Sequence, residues 1–79
     1  MKNIKKYKKA FIDSLSLSNQ IKLEKLEYQS IPEWDSIGHM TLMSELENAF
    51  DISINTEDIV DFGSFNKGKD ILKKYKINF

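Results

Sequence analysis

Residues 34–50 read WDSIGHMTLMSELENAF, and the order of residue types in this stretch defines one helix and both of its faces. Asp35 and Ser36 open it, because each carries a side-chain oxygen able to accept from the unpaired N–H groups of a helix's first turn. Pro32, just upstream, biases Ile31 away from helical angles and separates the helix from what precedes it. Steps of 100° then set His39, Leu42, Met43, Leu46, Ala49 and Phe50 on one arc, with Ile37, Met40, Thr41, Ser44, Glu47 and Asn48 on another. The first arc predicts a core face and the second a face in water. Ile37 and Met40 are out of character there, being apolar and close to the helix start. They either form a small contact surface or pack beneath the preceding loop.

Upstream, Ile4, Tyr7, Phe11 and Leu15 recur at steps of three and four with lysines between them, which predicts an amphipathic helix over residues 3–15. From Ser16 to Pro32 the periodicity fades. Ile21, Leu23, Leu26, Tyr28 and Ile31 nevertheless make this segment too apolar for a free linker, so we expect a long loop packed on the core. Downstream, Asn55 and Thr56 offer caps for a short helix through Asp61. Gly63 and Ser64 offer a break and a cap for a last helix to about Tyr75, with Phe65, Ile71, Leu72 and Tyr75 as its buried stripe. The short Ile52-Ser53-Ile54 alternation falls in a connection between helices. The expected fold is all-α: a small four-helix bundle with a long loop between the first and second helices and a short third helix, forming a single domain over residues 1–79.

A chain of 79 residues buries only about 60–65% of the surface its unfolded form exposes, which leaves little core for an enclosed active site. There is no cysteine and one histidine. Disulfides, thiolate metal sites and a thiol nucleophile are therefore excluded, and any thioester chemistry needs an imported sulfur. Positive and negative side chains balance to zero net charge, which argues against a general nucleic-acid binder. The distribution is uneven, however. Glu33, Asp35, Glu45, Glu47, Asp51, Glu57, Asp58 and Asp61 fall in a stretch without lysine, while both ends of the chain are lysine-rich. That pattern predicts an acidic face for basic partners. Lysines and Asp13 interrupt the N-terminal region before any apolar run long enough for a signal peptide or membrane span, so a cytoplasmic, soluble monomer without membrane insertion is expected.

Judged by its residue type, Ser36 is most simply a helix cap. The same position also suits a phosphate ester, which would meet free N–H groups and the positive end of the helix dipole. Ser36 and His39 lie three apart, the spacing of a dyad on one helix, yet the wheel turns His39 toward the core and no third group is in evidence to orient it. No metal cluster or phosphate-binding glycine loop is present, and no catalytic residue is assigned.

The run Trp34-Asp35-Ser36-Ile37-Gly38-His39-Met40, followed by Leu42, Leu46-Glu47 and Phe50-Asp51, resembles the signature of the acyl carrier proteins. Their hallmark is Asp-Ser-Leu/Ile at the start of the second of four helices, and the resemblance covers nearly the whole chain. It implies that the chain is not an enzyme but a carrier. A phosphopantetheinyl transferase would move 4′-phosphopantetheine from coenzyme A to Ser36, and the arm's thiol would hold an acyl group as a thioester. By position it implies that Asp35, Ile37, Met40, Glu47, Asp51, Glu57 and Asp58 meet acyl-loading and acyl-using enzymes through their basic patches. Trp34 before Asp-Ser is similar to discrete, specialised carriers of polyketide, aminoacyl or surface-glycan pathways. Fatty-acid-synthesis members usually have a glycine where Glu33 stands. Phe11, Phe50, Phe62 and Phe65 are expected to fill the bundle, which favours a short or non-fatty cargo. The alternative is an unmodified helical interaction module that uses the acidic face around residues 33–61.

Overall fold

The computed structural model describes residues 2–18 and 22–79. Its four α-helices are α1 (Asn3–Leu15), α2 (Ser36–Phe50), α3 (Thr56–Asp61) and α4 (Phe65–Lys73), with a 3₁₀ turn at Leu23–Lys25 inside the long α1–α2 connection. Among the described residues no strand forms, and the Ile52-Ser53-Ile54 alternation does not become one; an isolated bridge pairs Glu27 with Ser64. Ile21, one of the apolar loop residues, lies outside the described residues.

Helix α1 buries Tyr7, Ala10, Phe11 and Leu15, close to the predicted stripe, with Ile4 packed at its edge. It packs mainly on α2, whose Leu42, Met43 and Leu46 are buried. Rings occupy the centre. Tyr7 lies 4.8 Å from Phe65 and 5.0 Å from Phe11 between centroids, and Phe11 meets Trp34 edge-on at 5.3 Å. Edge-to-face pairs of this kind contribute roughly 0.5–1.5 kcal/mol beyond the area they bury. The Tyr7 hydroxyl donates to the Phe65 carbonyl at 2.6 Å, so a polar atom deep in the core is satisfied. Burial, and to a lesser extent the charge of Asp70, pushes this phenol well above its ordinary range. Gly68 makes this packing possible, because a Cβ there would collide with the Phe62 ring and the Tyr7 hydroxyl.

Two helix ends are closed without glycine. Ser16 (φ 54°) follows α1 and Asp51 (φ 54°) follows α2, both in the left-handed region. The next N–H reaches back five residues, from Leu17 to the Ile12 carbonyl (3.0 Å) and from Ile52 to the Glu47 carbonyl (3.1 Å). These reverse contacts satisfy end carbonyls that the helix cannot.

The loop is packed as expected, with Leu23 and Leu26 buried and Ile31 half-buried. Its anchors are distant in sequence: Tyr28 N–H donates to the Gly63 carbonyl (2.9 Å), and Phe65 N–H donates to the Leu26 carbonyl (3.0 Å). The loop is thereby tied to the α3–α4 corner. Helix α4 ends at Lys73, short of the expected Tyr75. The chain leaves the helix there in turns, and Tyr75 reaches the start of α3 instead, its Oη accepting from Asn55 N–H at 2.9 Å.

Candidate functional site

At the start of α2 the two capping candidates divide their roles. Asp35 is the cap: its backbone is extended, and its Oδ1 accepts from Gly38 N–H at 2.8 Å. Ser36 is the first helical residue, exposed, and its Oγ lies 3.2 Å from the Tyr28 hydroxyl. The simple capping role expected for Ser36 is thus filled by its neighbour. Gly38 allows the turn to sit close to the preceding chain, since a Cβ there would collide with the Glu33 carbonyl oxygen and stand 3.0 Å from Leu15 Cδ2.

Motif residues divide between inside and outside. Trp34 is fully buried. Its indole N–H donates to His39 Nδ1 at 2.9 Å, with the two rings stacked at 6.1 Å, and His39 Nε2 lies 2.8 Å from the Ile59 carbonyl oxygen. An indole is only a donor and a carbonyl only an acceptor. His39 therefore carries its proton on Nε2 and bridges the loop, α2 and α3. This is a structural histidine, and its ring is not turned toward Ser36 as a base.

Ile37 is 79% exposed and Met40 53% exposed. Neither packs beneath the loop, so of the two readings the contact surface remains. On α3, Val60 is 77% exposed, one residue beyond the carbonyl that His39 reaches. A recess of about 270 Å³ opens beside these elements, lined by Tyr28, His39, Ile59, Val60, Phe62 and Gly63.

The acids expected to face partners divide in the same way. Asp35, Asp51 and Glu57 are exposed. Asp58 is not: it is buried, Lys74 Nζ donates to its Oδ1, and the Tyr75 hydroxyl donates to its Oδ2 at 2.5 Å. The ammonium, followed by the phenol, holds the Asp58 carboxyl below the usual carboxylate range. The same contact raises Lys74. Tyr75 is raised by partial burial first and by its bond to Asp58 second. Asp58 is therefore corrected from a partner-facing acid to the lock between α3 and α4. Glu47 needs a smaller correction. It is half-buried, and its Oε2 accepts from Ile54 N–H at 2.8 Å, because the chain doubles back after Asp51 and crosses the last turn of α2.

Tyr28, Val60 and the Asp58–Tyr75 bond were missed from sequence. Tyr28 carries no periodic signal, and Val60 fits a helix equally well on either face. The Asp58 contact depends on how the last turn after α4 folds back. Among the described residues, no group of three or more His, Asp or Glu side chains is placed to hold a metal ion, and no helix is long and apolar enough to cross a membrane. Comparison of the chain with protein-family models, with curated proteins and with solved structures returns no match.

Proposed function

We propose that this chain is an acyl carrier protein that carries acyl intermediates as thioesters on a 4′-phosphopantetheine arm attached to Ser36 and delivers them to partner enzymes. The observation that carries the reading is the exposed Ser36 hydroxyl on the first turn of α2, relieved of capping by Asp35 and flanked by the exposed side chains of Ile37 and Met40.

The residues present fit the group. A phosphodiester on Ser36 would sit at the positive end of the α2 dipole, with the Tyr28 hydroxyl as a neighbouring polar group. The chain has no cysteine, so the thiol that bears the acyl group is the one chemical function the arm supplies. In loading, Ser36 Oγ bonds to the pantetheine-side phosphorus of coenzyme A while the pyrophosphate P–O bond breaks. Adenosine 3′,5′-bisphosphate leaves with the electron pair, and the serine proton passes to a base of the phosphopantetheinyl transferase. The carrier itself performs no catalysis. Asp35, Asp51 and Glu57 would steer basic partners, through exposed pairs worth about 0–1 kcal/mol each, while Ile37 and Met40 supply apolar contact. Weak contacts suit a cytoplasmic, monomeric shuttle that must release each partner. Trp34, Phe11, Phe62 and Phe65 fill the bundle centre, which supports a short or non-fatty cargo.

The test is an intact mass after incubation with coenzyme A and a promiscuous phosphopantetheinyl transferase. Wild type is expected to gain the mass of the arm and Ser36→Ala to gain nothing. An unchanged wild-type mass overturns the carrier reading and leaves the unmodified interaction module, which needs only the exposed surface.

A further inference from the structure

The Tyr28–Ser36 contact joins two exposed hydroxyls. Such a pair adds little to stability, because water offers either group an equivalent partner in the unfolded chain. Its consequence is orientation. An unrestrained surface serine samples three staggered χ1 wells, and a fixed partner within hydrogen-bond distance of Oγ selects among them.

Tyr28 is such a fixed partner. Its own N–H is bonded to the Gly63 carbonyl (2.9 Å), and the next residue, Gln29, returns its N–H to the Trp34 carbonyl (2.9 Å). The Tyr28 ring meets His39 edge-on at 5.2 Å and Trp34 edge-on at 6.4 Å. Those two side chains are themselves joined and anchored to α3. The phenol is thus held by backbone on one side and by a locked ring pair on the other.

We propose that Tyr28 is a positioning residue for Ser36, its phenol holding Oγ in a single rotamer for attack. A phenol is a stronger acid than an aliphatic alcohol, so Tyr28 is the better donor and the serine oxygen the acceptor. The serine proton then points away and stays free for removal by a base. The inference rests on the carrier reading for the reaction it serves, while the rotamer itself is measurable on the unmodified protein.

Two measurements decide it. The Hα–Hβ couplings of Ser36 in the unmodified protein report χ1 directly: wild type is expected to show one staggered well, and Tyr28→Phe, which keeps the ring and loses the hydroxyl, averaged couplings. In transferase loading, Tyr28→Phe is expected to lower kcat about threefold, as one well in three stays productive, with KM for the carrier unchanged. Averaged wild-type couplings, or couplings and kcat that Tyr28→Phe leaves alone, overturn the positioning role. A change in KM alone does so too, because it would make Tyr28 a docking contact. Failure of wild type to gain the arm overturns the carrier reading and, with it, the reaction that positioning serves, even where the couplings show a locked rotamer.

Discussion

At the first turn of α2, Asp35 uses one oxygen on Gly38 N–H and stays exposed, Ser36 stands in solvent, and Ile37 and Met40 expose apolar surface. At the α3–α4 corner, Asp58 has both oxygens occupied, by Lys74 and by Tyr75, and Tyr75 also ties down Asn55. Both regions belong to the same acidic stretch. In one the side chains are left available, and in the other they are used up in holding the fold. The difference teaches that the number of acids in a segment overstates the surface they offer, since a carboxylate that is buried with both oxygens bonded, as Asp58 is, is lost to partners, while one that bonds through a single oxygen and stays exposed, as Asp35 does, is not.

The sharpest way to break this contrast lies within the motif itself. Trp34 and Ile37 are three residues apart, one fully buried and the other 79% exposed. Trp34→Ala is expected to cost about 3–5 kcal/mol through the cavity and the orphaned His39 Nδ1. That is a large share of the roughly 5–15 kcal/mol that holds a small domain together. Ile37→Ala is expected to stay within about 0.5 kcal/mol. Urea unfolding curves compare them, and a loss above about 1 kcal/mol at Ile37 would mean that its side chain is part of the core after all.

The corner is tested by acid. The Asp58 carboxyl is held below its ordinary value of 3.8 by Lys74 and then by Tyr75, so the unfolded chain takes up the proton first as pH falls. The stabilisation is fully present above about pH 4–5 and is lost as pH drops toward the lowered folded value. Asp58→Asn has no proton to take up there. Its melting temperature is expected to start lower at pH 7 and to fall less steeply below about pH 4 than that of wild type. Parallel acid limbs would show that Asp58 is not the group responsible.

The helices were legible because each announces itself locally. The three- and four-residue steps from Ile4 to Leu15 mark α1, and the capping pair Asp35-Ser36 after Pro32, ahead of an apolar arc, marks the start of α2. The wheel put Ile37 and Met40 opposite the core arc but left open whether they pack beneath the loop, and their exposure, like that of Ser36, is read from the structure. What could not be read depends on residues far apart in sequence. Whether Asp58 faces water is decided by where Lys74 and Tyr75 arrive after α4, and Tyr28 meets Ser36 because its loop is bonded to Gly63. Glu47 was placed on the water arc by angle alone, but the wheel has no term for a chain that turns back over the helix end.

Asp51 offers the smallest effect and the finest separation of the two kinds of acid. It is exposed, it adopts the left-handed conformation, and its charge lies at the negative end of the α2 dipole. Both local terms are unfavourable, by up to about 1 kcal/mol for the backbone and about 0.3–1 kcal/mol for the charge, and glycine is the residue that commonly ends a helix in this conformation. Asp51→Gly is therefore expected to raise stability by about 0.5–1 kcal/mol, the extra freedom of glycine in the unfolded chain offsetting part of the gain. On the proposed carrier reading, and if Asp51 is kept for partner contact, the same variant is expected to take up the 4′-phosphopantetheine arm about two- to threefold more slowly, the scale of one exposed ion pair. A stabilised variant that loads more slowly would place Asp51 with Asp35, on the side of acids left available. A stabilised variant that loads at the wild-type rate would make its carboxylate dispensable, leaving Asp51 as no more than the residue that ends α2.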